Sequence, residues 1–168
     1  IFSKICTRGG LRTFAYPEYP SLIRGGNNTY QIVVDAEQAT SQRWAVHLLV
    51  CLNKETFDLH KNQLADDAAV VYDPADFNNA APEPVVDKPN ITFVPVLMSA
   101  IVQQREGTRV ERNTIAVGAS FGLLGYPKEI VTDVISGWFG AKKQAVAQAN
   151  IELAQAGYDA VVGKYSNY

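Results

Sequence analysis

The stretch "WAVHLLVCLNKETFDLHKNQLADDAAVVYD", residues 44–73, decides the fold of this chain. It opens on a run that is apolar almost throughout, which predicts a strand buried on both faces in the middle of a sheet. Asn53 offers an N-cap for a helix over residues 54–65, and "AAVVYD" then returns the chain as a second strand. Together these elements predict one βαβ unit with parallel strands and a right-handed crossover.

The segments downstream continue the alternation of strands and helices. Residues 74–90 contain four prolines and predict a loop that carries at most an edge strand. The run "ITFVPVL", residues 91–97, predicts another strand, which Pro95 weakens or places at an edge. From residue 98 the period is helical, and Pro127 is tolerated in a first turn. Two amphipathic helices follow, over residues 128–139 and 142–157, and we expect Gly157 to end the second.

This element order predicts an α/β fold, a Rossmann-like three-layer α/β/α sandwich with a mostly parallel or mixed sheet and a C-terminal helical pair. The opening "IFSKICTRGGL" predicts a helix with Gly9 as its C-cap, so the chain enters inside a helix. In α/β domains the element before that helix is usually the first strand with its Gly-rich turn. We therefore expect one domain over residues 1–160 with its N-terminal strand missing, and the start of a linker over residues 161–168.

Composition restricts the class of function. The chain has 168 residues, 47% of them hydrophobic and 19% charged, with a formal net charge of -2, so it has no basic footprint for nucleic acid or an anionic membrane. Neither a membrane span nor a signal peptide is visible, and we expect a cytoplasmic protein. Cys51 lies in an apolar run and predicts a small buried hydrophobe, and Cys6 is too distant in sequence to suggest a disulfide framework.

The two histidines offer no obvious site. His47 falls inside an apolar strand, where a hydrogen-bonded core imidazole is the favoured interpretation. His60 lies among polar helical residues and is expected to face solvent. With two cysteines and two histidines, the chain has no convincing ligand set for zinc or an iron–sulfur cluster, and we expect no metal and no catalytic residue.

The stretch "YPEYPSLIRGGNNTYQIVV", residues 16–34, supplies the candidate site. The X-Pro steps predict an extended, stiff loop, and the glycines allow close backbone approach. The loop leads into the alternating strand "NTYQIVV" and displays Arg24 at the edge of a sheet. Arg24 either bonds nearby carbonyls as part of a turn, or binds a carboxylate or phosphate across an interface. The candidates for an interface or substrate cleft are Tyr16, Glu18, Tyr19, Ser21, Arg24, Gly25, Gly26, Asn27 and Asn28.

Three stretches resemble a known family. Residues 9–34, "GGLRTFAYPEYPSLIRGGNNTYQIVV", are similar to the signature of the gamma domain of 2-oxoacid:ferredoxin (acceptor) oxidoreductases, particularly the form fused to the alpha subunit. In that form the usual run is close to "GYTEYPSLIRGGHNTYQV", so Asn27 stands where a histidine is expected. Residues 112–135 and the helix around Asn150 resemble later parts of the same domain.

The resemblance implies a function in a larger enzyme. Such enzymes oxidatively decarboxylate a 2-oxoacid to an acyl-CoA with thiamine diphosphate, Mg²⁺, coenzyme A and 4Fe-4S clusters, and pass electrons to ferredoxin. None of these cofactors is expected to bind this segment, whose partners would be the alpha and beta catalytic portions. The fused signature favours 2-oxoglutarate as substrate, and the isolated domain is not expected to be active. Two alternatives stay open: a stand-alone α/β nucleotide-binding protein with its phosphate loop before residue 1, and a purely structural subunit.

Overall fold

A computed structural model describes residues 1–19, 27–77, 84–139 and 143–165. In this part of the chain the fold is mixed α/β, with five strands in two sheets and six α-helices. Three short 3-10 turns, Lys61–Gln63, Pro74–Asp76 and Arg109–Glu111, join these elements. The helices and strands in chain order are α1 Phe2–Arg8, β1 Arg12–Glu18, β2 Thr29–Asp35, β3 Val46–Val50, α2 Lys54–His60, β4 Leu64–Tyr72, β5 Thr92–Pro95, α3 Met98–Gln104, α4 Arg112–Leu123, α5 Lys128–Phe139 and α6 Gln144–Val161.

The larger sheet has the order β3-β4-β5 with all three strands parallel. The predicted order of strand, helix and parallel strand is therefore confirmed, and so is the helix cap, because Asn53 Oδ1 accepts a hydrogen bond from Thr56 N at 2.8 Å. The helix is shorter than predicted: it ends at His60 rather than at residue 65, and β4 begins already at Leu64.

The prediction that β3 lies in the middle of the sheet is wrong, because in the described residues β4 occupies the middle. Both faces of β3 do contact core residues, since Leu49 packs with Phe57 while Leu48 and Val50 pack against the opposite cluster. His47, where the ladder of β3 is irregular between Val46 and Leu48, is exposed rather than in the core.

The smaller sheet is an antiparallel hairpin of β1 and β2, which pair from Arg12↔Asp35 to Glu18↔Thr29. Strand β2 was expected from its alternation, whereas β1 was not, because Pro17 suggested a loop. Each strand of a two-stranded sheet has one edge that pairs with no neighbour, so a proline, which lacks the N–H, is tolerated there. We call this hairpin the ribbon. At its base Leu11 N donates to Cys6 O at 3.0 Å, which joins the ribbon to α1.

Both faces of β4 are covered, because successive side chains of a strand point to opposite sides. Ala69 and Val71 pack with apolar residues of α3, α4 and α6 on one side. Val70 and Tyr72 pack with Phe57 of α2 on the other. This alternation places the parallel sheet inside the core and its helices around it. No helix in the described ranges is long and apolar enough to cross a membrane.

Helices α4 and α6 cross at glycine contacts. A Cβ built on Gly118 would lie 1.9 Å from Ala154 O, and one built on Gly122 would lie 2.6 Å from Tyr158 O. The expectation that Gly157 ends the last helix is wrong, since α6 continues to Val161. Gly157 is instead a buried contact in the helix interior, and the absence of a side chain there lets the two backbones meet.

Both cysteines are buried free thiols, at 2% and 0% exposure, and the interpretation of Cys51 as a buried hydrophobe is confirmed. Burial raises the pKa of Cys6 to about 11. Burial, with smaller contributions from the Asp76 and Asp58 carboxylates, raises the pKa of Cys51 to about 12. Both thiols are therefore protonated at neutral pH and behave as core side chains.

Candidate functional site

The far end of the ribbon carries the sequence-predicted candidates that the structure describes. Tyr16 and Glu18 belong to β1, and so part of the expected loop is in fact strand. Tyr19 follows directly and is 75% exposed, and Asn27 and Asn28 lead into β2. The remaining four candidates lie outside the described residues: Ser21, Arg24, Gly25 and Gly26.

One face of the ribbon is apolar and accessible. Opposite residues of an antiparallel pair share a face, so Pro17 and Tyr30 stand side by side, as do Ala15 and Ile32. Tyr30 is 62% exposed and Val34, four residues further along the same face, is 38% exposed. Tyrosine supplies a large, rigid contact surface with a polar tip, which is the composition of protein interfaces. Tyr30 was missed as a site residue because it also fits the alternation of an ordinary strand.

Side-chain hydrogen bonds join this end of the ribbon to α2. Asn27 Nδ2 donates to Thr56 Oγ1 at 2.9 Å, and Thr29 Oγ1 lies 3.1 Å from His60 Nε2. His60 was expected to face solvent, but its ring is part-buried between Thr29 and Gln63, whose Oε1 lies 3.3 Å from Nδ1. The polar side chains Thr56 and His60 of α2 therefore face the ribbon. The helical pattern of the sequence does not show that the ribbon packs there.

A buried ionic cluster lies where β4 ends, and sequence reasoning missed it. Arg112 bonds both carboxylate oxygens of Asp76, with Nη1 3.2 Å from Oδ1, and its Nη2 lies 3.5 Å from Asp73 Oδ2. Asp73 also accepts from Ala75 N at 3.1 Å and from Ser99 N at 2.6 Å. The cluster therefore fixes the turns after β4 and β5 to the start of α4. The sequence feature that could have predicted this cluster is Asp73, an acidic residue directly after the apolar strand β4.

Within the described residues, the donor atoms do not form a ligand set for an iron–sulfur cluster or a metal ion. In the ranges that the structure covers, no three His, Cys, Asp or Glu side chains come together as a ligand group. Cys6 packs with residues of α4 and α5, while Cys51 lies in the cluster around Phe57, so the two thiols occupy separate parts of the core.

Comparison with known proteins defines the class. The family model described as "Pyruvate ferredoxin/flavodoxin oxidoreductase" matches residues 1–160. The chain belongs to the pyruvate ferredoxin/flavodoxin oxidoreductase family. The resemblance found in residues 9–34 is confirmed at the level of this family of oxidoreductases.

One curated relative is a subunit of a ketoisovalerate oxidoreductase. The chain is 28% identical over 153 residues to the ketoisovalerate oxidoreductase subunit VorA of Methanothermobacter thermautotrophicus, covering 88% of this chain and 30% of that protein. The chain thus spans less than a third of the length of this curated relative.

Two solved structures share the fold. The 2-oxoglutarate:ferredoxin oxidoreductase from Magnetococcus marinus, solved with 2-oxoglutarate, coenzyme A and succinyl-CoA, matches with a TM-score of 0.75 and 22% identity, over 96% of this chain and 28% of that one. The gamma subunit of a keto/oxoacid ferredoxin oxidoreductase from Geobacter sulfurreducens matches with a TM-score of 0.72 and 17% identity, over 94% of this chain and 85% of that one. These likenesses confirm the α/β fold.

Proposed function

We propose that the chain is the gamma domain of a 2-oxoacid:ferredoxin oxidoreductase, which oxidatively decarboxylates a 2-oxoacid to its acyl-CoA. The observation that carries this proposal is the family match over residues 1–160. The gamma subunit from Geobacter sulfurreducens, which this chain nearly spans, supports the domain assignment. The relatives support two candidate substrates. The Magnetococcus marinus enzyme supports 2-oxoglutarate, which we favour, and the ketoisovalerate enzyme supports a branched-chain oxoacid.

We further propose a Rossmann-like three-layer architecture for the complete domain, over residues 1–160, with a linker beginning at residue 161. Helices on both faces of β4 support the three layers. The antiparallel pairing of β1 with β2 and the parallel pairing of β3, β4 and β5 support a mixed set of strands in this architecture.

The ribbon is the proposed contact with the alpha and beta catalytic portions. Tyr16 and Tyr30 give the end of the ribbon an accessible aromatic side chain on each face, at 40% and 62% exposure, and Tyr19 follows just beyond β1 at 75%. A surface of this kind is suited to the buried centre of an interface. Arg24 would meet the carboxylate of the 2-oxoacid or a phosphate of coenzyme A in the adjoining cleft, because a guanidinium binds such groups through two parallel hydrogen bonds.

The family resemblance of residues 9–34 supports assigning the cofactors to the catalytic partners. Thiamine diphosphate with Mg²⁺ and the 4Fe-4S clusters would be held by the catalytic partners and would supply the decarboxylation and electron transfer to ferredoxin. The residues of this chain would orient substrate and exclude water from the cleft. The complex would work in the cytoplasm.

The test is anaerobic affinity purification of the full-length protein with its natural partners. A brown complex with broad absorption near roughly 400 nm, typical of iron–sulfur charge transfer, that contains thiamine diphosphate and reduces ferredoxin with a 2-oxoacid would support the proposal. Rates with 2-oxoglutarate, pyruvate and 2-oxoisovalerate would identify the substrate. A colourless protein that is purified alone would contradict it.

An Arg24→Ala variant separates an active cleft role from a purely structural subunit. If Arg24 binds substrate or coenzyme A, the complex assembles and the KM for one of them rises by about tenfold or more, as expected for a lost charged hydrogen bond. The matched control is Arg8→Ala, an exposed arginine at the end of α1. Equal kinetics for both variants would leave this chain with an assembly role alone.

A further inference from the structure

Two side-chain hydrogen bonds with matching spacing join the ribbon to α2. Asn27 lies two residues before Thr29, the first residue of β2, while Thr56 and His60 are four apart on α2. Two residues of a strand would span about 6.6 Å and four helical residues span about 6 Å, so the two spacings are compatible. The two hydrogen bonds form side by side, and we call these four residues the latch.

The helix side of the latch is held in place by its own bonds. Thr56 Oγ1 lies 2.9 Å from Asn53 Oδ1, the N-cap oxygen that also accepts from Thr56 N. A hydroxyl has one proton, and Asn53 Oδ1 at 2.9 Å is a nearer acceptor than Asn27 Oδ1 at 3.3 Å, so Thr56 donates to Asn53 and accepts from Asn27 Nδ2. His60 is oriented in the same way by Gln63 on its other ring nitrogen. Both groups therefore present a fixed acceptor or donor to the ribbon.

The latch acts on the end of the ribbon that carries the tyrosines. Thr29 is paired with Glu18, and the next pairs inward are Pro17 with Tyr30 and Tyr16 with Gln31. The opposite end is already fixed to α1 through Leu11 N and Cys6 O. Fastening both ends restricts the pivoting of a two-stranded hairpin, which is marginally stable by itself.

We propose that Asn27, Thr29, Thr56 and His60 are positioning residues that hold the tyrosine end of the ribbon in its binding orientation. This inference rests on the proposed interface of the ribbon with the catalytic portions. It also gives Asn27 a role at the position where the resembling signature has histidine, since both side chains have a nitrogen donor for Thr56. Preorganisation of this kind improves binding by lowering the ordering cost at the interface.

The first experiment measures amide hydrogen exchange in the 168-residue chain. Thr56→Val removes the hydroxyl, and we expect exchange of the ribbon amides in β1 and β2 to rise about fivefold, as for one lost hydrogen bond. Thr56→Ser keeps the hydroxyl and should exchange like the parent. Thr132→Val is the matched control, because that threonine bonds Glu129 O within α5 at 3.0 Å. Unchanged ribbon exchange in Thr56→Val would overturn the latch.

The second experiment measures kinetics in the complete enzyme with its catalytic partners. We expect Thr56→Val to raise the KM for 2-oxoacid or coenzyme A about threefold or more while kcat stays unchanged, with rescue by Thr56→Ser. Faster ribbon exchange with unchanged KM would overturn the positioning role and leave a structural contact. An assembled parent complex that oxidises no 2-oxoacid would refute the proposed function, while the exchange result would still decide the latch.

Discussion

Gly157 of α6 lies against the backbone of Ile115 in α4: a Cβ built on Gly157 would stand 2.0 Å from the Ile115 carbonyl oxygen. The same crossing brings Gly118 of α4 to the carbonyl of Ala154. A contact with backbone offers no flexible side chain that could move aside. The distance between the two helices is therefore set by residues without side chains, and the core cluster beneath them depends on that distance.

Gly157→Ala should destabilise the fold by about 2 kcal/mol or more, although alanine is the better helix former. The added methyl group must separate α4 from α6 and loosen their shared packing. Urea unfolding followed by circular dichroism measures the change. The control is Gly137→Ala in α5, where a Cβ would meet nothing within 4 Å, so a gain of about 0.5–1 kcal/mol is expected. Equal effects at the two glycines would contradict the close crossing.

Gly157 also marks a limit of sequence interpretation. A glycine after an amphipathic run is typical of a helix end, and the same residue in a helix interior allows close approach to a neighbour. Only the position of α4 distinguishes the two cases. By contrast, the order of the βαβ unit, the cap at Asn53 and the helices on either side of Pro127 depend on local patterns, and these were predicted correctly. The end of α2 was not, because the chain leaves the helix at His60 and pairs as β4 from Leu64.

The other differences have the same origin in long-range pairing. Strand β1 contains Pro17 and forms because β2 lies beside it, not because its own residues favour a strand. The cluster of Asp73 and Arg112 joins residues that are far apart in sequence. At the candidate site, the stretch of residues 16–34 suggested Tyr16, Tyr19 and Asn27 as candidates, but the partner of Asn27 on α2 becomes visible only once the ribbon is placed.

Arg112→Met should destabilise the protein by about 3–5 kcal/mol, because it leaves buried carboxylates without their counter-charge. The Arg112 and Asp73 side chains are only 6% and 1% exposed, and Asp76 is 16% exposed. Arg105→Met is the control, since Arg105 pairs with Glu152 at the surface, with side chains 38% and 41% exposed, and should cost less than about 1 kcal/mol. Similar losses in thermal unfolding for both variants would refute a special role for the buried cluster.

The raised pKa of Cys51, about 12, predicts a pH dependence of stability. In the unfolded chain a cysteine ionises near about pH 8.5, whereas the folded thiol keeps its proton. Between these values the folded state binds more protons, so the free energy of unfolding falls as the pH rises from about 9 to about 11, by up to about 1.4 kcal/mol per pH unit. Cys51→Ala should therefore show a shallower decline than the parent in urea titrations over this range. Parallel declines would show that Cys51 does not contribute.

Tyr30→Lys tests the ribbon as an interface while leaving the fold in place. Tyr30 is 62% exposed, so its replacement should change the free energy of unfolding by only about 0.5 kcal/mol. On the proposed interface, however, it removes an aromatic contact and adds a charge that must lose its hydration, and affinity for the catalytic partners should fall by at least about tenfold. Val110→Lys is the matched control, since Val110 is 73% exposed and lies on the turn Arg109–Glu111, outside the strands of the ribbon. Pull-down from a co-expression strain, with protein stability measured in parallel, compares the two variants. Full recovery of the partners with the Tyr30→Lys protein would show that assembly uses another surface of the domain.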